Sequence, residues 1–179
     1  MLISLYNRLQ NSLSALGAEL VPFLARLTFA GVLAGYFWAS AGTKVGEGLL
    51  GFLSPSAGAY AQIFPKAFEA VGYDAGQLGL FHWAVAVAGT VAEFVLPLLI
   101  LIGLLTRLAA LGMIGFVTVQ SLTDIYGHGV GGDDLGRWFD RASDALIADQ
   151  RGLWVFLLLT IALLGAGRLS LDRLLFGRS

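Results

Sequence analysis

The chain has no cysteine among its 179 residues, and His82 and His128 are its only histidines. Without thiols there can be no disulfide, no CxxC exchange chemistry, no thiolate-held iron–sulfur cluster and no covalently attached c-type haem. With two histidines only, a metal site held by the protein alone would need carboxylates as well, and none is expected. Charge is scarce too. Asp, Glu, Lys and Arg make up 13% of the residues, against about 25% in soluble domains. The formal net charge is −1, and no basic cluster occurs anywhere in the chain. That removes nucleic acid from the expected partners.

What fills the space is apolar. Hydrophobic residues account for 57% of the chain, glycine for 24 positions, and the mean hydropathy is +0.78. This is membrane-protein composition, with glycine abundant where helices pack closely in lipid. At a rise of ~1.5 Å per residue, runs at about 21–41, 82–105, 108–126 and 153–167 can cross a hydrocarbon core of roughly 30 Å, the last only if thin or tilted. The expected fold is an all-α integral membrane protein, a single membrane domain over 1–179. It is an antiparallel bundle of four transmembrane helices with amphipathic interfacial helices, and the lipid bilayer is its first partner. An even number of spans puts both termini on one side.

The connections are unequal. Gly103 to Leu108 is a tight turn with Arg107 at its apex, so the second and third spans form a hairpin. The outer loops, 42–81 and 127–152, are long. The first carries apolar patches at Leu49–Leu53 and Tyr60–Phe68 and is expected to fold as interfacial or half-buried helices. In the second, Leu135, Trp138, Phe139, Ala142 and Leu146 predict an amphipathic helix over 133–149, with Asp133 or Asp134 as N-cap. Before the first span, Leu2, Leu5, Tyr6, Leu9, Leu13 and Leu16 share one helical face, which predicts an interfacial helix over 1–20. A cleaved secretory signal ending at Ala39-Ser40-Ala41 is the rival reading. The polar lead is too long for it, and Arg26 interrupts its apolar part.

Basic residues set the orientation. Arg8, Arg107, Arg168, Arg173 and Arg178 belong to the termini and the short turn. Lys44, Lys66, Arg137, Arg141 and Arg151 spread over loops of about twice the length. The higher density places both termini in the cytoplasm.

The most informative residue is Glu93, the single fixed charge between His82 and Thr106. An ionisable group at that depth costs several kcal/mol unless it is paired or protonated. Counted at ~1.5 Å per residue from the Arg107 turn, Glu93 lies roughly 18 Å up and Arg26 roughly 8 Å up. This predicts a lower polar layer of Arg26 and Glu93, with Thr160 beside them, and an upper one of Lys44, His82, Gln120 and Asp124. Gln120 and Asp124, four apart, share a helix face. The plain alternative makes Glu93 structural glue, Arg26 a snorkelling anchor, and Lys44 and Asp124 helix-end caps. Pro97, one turn after Glu93, is expected to kink the second span. The glycine-rich stretch Gly127–Gly132 lacks the Lys-Ser/Thr of a phosphate loop and reads as a connector. Trp38, Trp83, Trp138 and Trp154 read as an interfacial aromatic belt. His82 and His128 both fall on the outer side, which disfavours a bis-histidine haem.

In three places the chain resembles the DoxX/DoxD family of small four-helix membrane proteins. The first span has an early Arg26 and ends Ser40-Ala41-Gly42-Thr43-Lys44. The hairpin carries Glu93 and then Gly103-Leu104-Leu105-Thr106-Arg107-Leu108-Ala109-Ala110, similar to the family's G-L-x-T-R-x-A-A turn. The end, Gly165-Ala166-Gly167-Arg168-Leu169-Ser170-Leu171-Asp172, is similar to its G-x-G-R-x-S-x-D. Ala41 stands where Gly is commoner, and loop 42–81 is longer than in the shortest members.

The resemblance implies a bacterial inner-membrane protein associated with quinone-linked or stress-linked redox assemblies. One branch resembles the membrane subunit of a thiosulfate:quinone oxidoreductase, and others stand beside superoxide dismutase and sulfurtransferase partners. On this expectation Glu93 is the catalytic proton acceptor and Arg26 its electrostatic partner. Gln120 and Asp124 form a hydrogen-bonding wall, and Lys44 and His82 bind a quinone head or an anionic donor. The expected cofactor is a diffusible quinone or quinol, with nothing covalently bound, and the protein partners are other subunits or further copies of the chain. Two other readings stand beside this one. The first is a non-enzymatic scaffold of a larger respiratory or photosynthetic complex. The second is a small proton-coupled carrier, which would need an aqueous path to Glu93.

Overall fold

The structure is a computed structural model describing residues 1–48 and 50–177. Leu49 and Arg178, which entered the reading of the loop and of the orientation, lie outside the described residues. Among the described residues four helices are long and apolar enough to cross a membrane: α1 (Leu2–Gly42), α4 (Leu80–Ile102), α5 (Thr106–Gly127) and α7 (Leu146–Leu164). Shorter helices are α2 (Ala57–Ile63), α3 (Pro65–Ala70), α6 (Gly132–Leu135) and α8 (Leu171–Phe176). No strand occurs among the described residues. The protein is an all-helical, multi-pass membrane protein.

The core is a column of side chains from all four long helices. Phe29, Leu33 and Phe37 of α1 meet Ile100 of α4, Met113 and Val117 of α5, and Leu158 and Ile161 of α7. Inside lipid this packing is held by van der Waals fit. Phe37 sits edge-on to Phe116, with ring centroids 6.0 Å apart, and to Trp154 at 6.2 Å.

The hairpin end is closed by backbone chemistry, and it explains the motifs. Gly103 ends α4 at φ +71°, and a Cβ there would lie 2.6 Å from the Ser170 Cβ. Only glycine allows that approach. The Asp172 carboxylate accepts hydrogen bonds from the amides of Leu105 (2.7 Å) and Thr106 (3.0 Å), capping α5, while its own amide donates to the Gly103 carbonyl at 2.7 Å. The hairpin turn and the C-terminal segment are thus two halves of one clasp.

Arg26 completes this clasp. It donates to the carbonyls of Ile100 (2.9 Å), Leu101 (2.5 Å), Ala166 (2.7 Å) and Leu169 (2.7 Å). These carbonyls lie at a helix end and in a loop, that of Ile100 also accepting from the Gly103 amide, and a guanidinium has enough donors for all of them. Arg107 donates likewise to Ala162 (3.1 Å) and Leu163 (2.8 Å) at the end of α7.

At the opposite, loop end, α2 and α3 pack on the outer half of α4 through Tyr60, Phe68 and Ala86. Ser56 caps α2 by accepting from the Ala59 amide at 3.2 Å, and Pro65 opens α3 where a missing N–H costs nothing.

Three expectations are corrected. The helix expected over 1–20 is not separate: α1 runs unbroken from Leu2, with a wide π-type turn at Ala30–Ala34 as its one irregularity. The amphipathic helix expected over 133–149 is absent. Ahead of α7 only α6 forms there, with Gly131 rather than Asp133 or Asp134 at its N-cap position, and the chain turns out at Gly136 (φ +63°) and Phe139 (φ +67°). A Cβ on Gly136 would lie 2.2 Å from the Ala145 Cβ, so the segment folds back on itself instead of running straight. Finally, α7 begins at Leu146 rather than near 153. Asp149 and Arg151 lower the local hydropathy, but both find partners inside the fold.

Candidate functional site

Glu93 is paired, and its partner is Lys44, not Arg26. The ammonium lies 2.9 Å from Glu93 Oε2 and 3.2 Å from Oε1, with the two side chains 5% and 3% exposed. The expected Arg26–Glu93 contact is overturned because the open carbonyls around Ile100 and Ala166 claim every direction of the guanidinium. Lys44 follows the last turn of α1 and folds back down that helix. Its Nζ also donates to Ser40 Oγ (2.7 Å) and the Ser40 carbonyl (3.2 Å), and Ser40 Oγ donates to Glu93 Oε1 at 3.1 Å. Height counting put Lys44 at the outer surface; a four-carbon side chain turned inward closes the difference. Desolvation of both charges is offset by their attraction and by the serine, which fills the remaining hydrogen-bonding positions.

The pair stands at the wall of a cavity of about 620 Å³ between α1, α4, α5, the start of α7 and α2. Small residues hollow it out. Gly89 and Ala92 on α4 and Gly112 and Gly115 on α5 line it, and a Cβ on Gly115 would meet nothing within 4 Å. Apolar side chains such as Val85, Leu96 and Phe116 make most of the remaining wall. Trp38, just before Ser40 on α1, donates its indole N–H to the Phe94 carbonyl at 3.2 Å, tying α1 to α4 close to Pro97.

A second polar group borders the same cavity. Asp124 forms an ion pair with Arg151, whose guanidinium also donates to Ser121 Oγ at 3.1 Å. One turn below Asp124, the Gln120 amide donates to the Tyr36 hydroxyl at 2.8 Å. Gln120 Oε1 and Arg151 Nε are buried without partners. The wall therefore keeps hydrogen-bonding capacity that a ligand oxygen or an ordered water can take up after a small side-chain rotation. At the loop end His128 Nε2 lies 3.1 Å from the Gln62 carbonyl, and both residues line the cavity.

Of the residues singled out from sequence, Glu93, Lys44, Gln120 and Asp124 come together around this cavity. Arg26 and His82 do not. His82 packs against Phe64 and Phe81, with ring centroids 4.8 and 5.7 Å away, and its Nδ1 is buried without a partner. Thr160 spends its hydroxyl on the Phe156 carbonyl of its own helix. Ser40, Tyr36, Arg151 and His128 were missed. Arg151 reads in sequence as a loop cation at the mouth of a span, and the one hint was that Asp124 has no Lys or Arg within several turns on its own helix.

These features define a class, a four-span helical membrane protein with a buried lysine–glutamate pair at the wall of an intramembrane cavity. The chain belongs to the DoxX family, whose family model matches residues 21–123. That match takes in Arg26, Lys44, Glu93 and the hairpin turn, while Arg151 and the Asp172 clasp lie beyond it. Comparison with the curated proteins and with the solved structures found no match.

Proposed function

We propose that this protein is the membrane subunit of a quinone-linked redox assembly and that the cavity takes the head of a quinone or quinol. The observation that carries the reading is a preformed, mostly apolar cavity of about 620 Å³ with a buried Lys44–Glu93 pair in its wall. That volume falls within the roughly 300–1,000 Å³ of small-molecule sites, which combine apolar walls with a few placed polar groups. The polar set suits a ligand with oxygens on a ring: a donor ammonium at Lys44, an acceptor carboxylate at Glu93, the free acceptor Oε1 of Gln120 and the free donor Nε of Arg151.

A quinol on oxidation supplies two protons and two electrons. In this reading Glu93 takes up one of the protons, the other passes to water at the cavity mouth, and the Lys44 ammonium holds the ligand oxygen. Ser40 keeps both side chains in place while the ion pair loosens. Asp124 and Arg151 hold the far wall in register. The electrons pass to a partner protein, since this cysteine-free chain has no thiolate with which to hold a cluster.

Orientation belongs to the same proposal. Lys44 and Arg151, both counted as loop cations, are buried in ion pairs. The loop end keeps Lys66, Arg137 and Arg141, whereas the hairpin end carries Arg8, Arg107, Arg168 and Arg173. The stronger asymmetry supports an orientation with the termini in the cytoplasm, and placement in a bacterial inner membrane is what the family resemblance implies.

One observation favours a second reading, a non-enzymatic accessory subunit. The Lys44–Ser40–Glu93 cluster is already fully hydrogen-bonded, which suits structural glue. Purification in native nanodiscs, with quinone extraction and mass spectrometry of co-purifying proteins, separates the two. Stoichiometric quinone that is lost in Glu93→Ala supports the redox site. A stoichiometric protein partner without quinone leaves the accessory subunit.

A further inference from the structure

The N-terminal half of α1 is not used by the bundle. Between Leu2 and Leu16 the helix is exposed on every side. At ~1.5 Å per residue, the 41 residues of α1 measure roughly 62 Å, about twice a hydrocarbon core of ~30 Å. The membrane part begins near Arg26, which is locked to the hairpin end. Below it, Glu19 forms an ion pair with Arg168, and Gly167 packs on Pro22, so the helix keeps its direction at least to Glu19. The remaining turns, about five at ~3.6 residues each, continue as a rod away from the bundle.

One face of that rod is a continuous apolar seam. Leu2, Tyr6, Leu9, Leu13, Leu16 and Leu20 follow one another at alternating spacings of four and three, and their exposures run from 80% at Leu2 to 44% at Leu20. The four steps from Leu2 to Leu16 average about 3.5 residues, and the fifth, to Leu20, brings the average to about 3.6, with leucine at every position but Tyr6. A lipid surface asks only for a broad apolar face, whereas a repeat of about 3.5 residues is what a second helix needs for its knobs to enter holes. Of the positions beside the seam, Gln10, Ser12 and Gly17 carry no charge, and Glu19 is neutralised by its ion pair with Arg168, so no net charge there repels an identical helix. Arg8 lies away from it. On the same side of α1 within the membrane, Leu24, Leu27, Gly31, Gly35 and Ala39 are all exposed, and a Cβ on either glycine would meet nothing within 4 Å. No side chain there bars another α1 from approaching.

We propose that this seam is an interface with a second copy of the chain, in which two α1 rods pair as a parallel coiled coil. Insertion in a common orientation already aligns the copies in parallel and confines them to two dimensions. A leucine-sized side chain removes on the order of 100 Å² from water, so six per copy bury roughly 1,200 Å² in total, the lower bound of a stable interface. This inference does not depend on what the cavity binds.

The absence of native cysteine makes the test direct. Single cysteines are placed one at a time from Tyr6 to Leu20 of the full-length protein in liposomes of neutral lipid and oxidised under mild conditions. Disulfide-linked dimers should peak at the seam, in Tyr6→Cys, Leu9→Cys, Leu13→Cys and Leu16→Cys. They should be at least about tenfold fewer at Arg8→Cys and Asn11→Cys. As a second measurement, Leu9→Asn/Leu13→Asn should turn dimer into monomer by mass in nanodiscs while the helical content is unchanged. Cross-linking that does not follow the seam's alternation of three and four would overturn the proposal. So would spin labels at the seam that report contact with acyl chains, or a dimer that survives the double asparagine variant.

Discussion

Replacing Lys44 by methionine removes the cation from Glu93 while keeping the length of the side chain. The carboxylate is then left 3% exposed with Ser40 as its remaining side-chain hydrogen-bond donor. Breaking a buried ion pair by deleting one partner costs about 3–5 kcal/mol, roughly two to four decades in the unfolding constant. The Glu93→Leu replacement should cost a similar amount, because it strands the ammonium among Ser40 and apolar neighbours. Removing both charges together behaves differently. A Lys44→Met/Glu93→Leu double variant loses the attraction and both desolvation penalties at once, so it should lie within about 1 kcal/mol of the parent or above it. The coupling between the sites is then several kcal/mol, far beyond the ~0.3–0.5 kcal/mol scatter of independent positions. The assay is unfolding of the bundle in mixed micelles of rising denaturing-detergent fraction, followed by helical circular dichroism and by Trp38 and Trp154 fluorescence. Single variants as stable as the parent, or single costs that simply add in the double, would refute the buried-pair reasoning.

Three other substitutions address the rest of the fold. Arg26→Leu abandons four buried or half-buried carbonyls and should destabilise by more than about 4 kcal/mol. Arg26→Lys should recover less than half of that in the same titration, since an ammonium cannot span the fork. Asp172→Ala removes the cap on α5 and should cost about 1–2 kcal/mol, read as roughly tenfold faster amide exchange at Leu105 and Thr106. Gly115→Leu points a side chain into open cavity space, so it should change stability by less than about 1 kcal/mol yet lower retained quinone at least tenfold. Unchanged quinone in that variant would remove the cavity as the site.

The bundle itself was legible in the sequence because its information is local. Hydropathy along 82–105 and 108–126 reports burial in lipid whatever lies next to it. The residues from Gly103 to Arg107 spell a turn whose left-handed glycine is required by backbone geometry alone. Glu93 announced itself in the same way, as a single charge in an apolar run.

Its partner did not, for a physical reason. Rise per residue gives the height of a Cα, but Arg and Lys side chains reach several ångströms along the axis. Height alone therefore sets Arg26 in the layer of Glu93 and Lys44 at the outer surface. The choice was made by groups remote in sequence: carbonyls at Ile100 and Ala166 hold Arg26, while Ser40 and Glu93 draw Lys44 inward. Arg151 escaped notice for the complementary reason, since a charge that finds its ion pair inside a fold looks in sequence like one that belongs to solvent.

The sequence by itself determined the class, the four crossings, the hairpin turn and the buried carboxylate, all properties of hydropathy and of short backbone patterns. Tertiary structure alone decided which cation neutralises Glu93 and that Arg26 serves as a backbone clamp. It also decided that Asp124 and Arg151 close the far wall of one cavity with Lys44 and Glu93. Those outcomes depend on which unsatisfied groups are brought within hydrogen-bonding distance, and only the packing of the four helices brings them there.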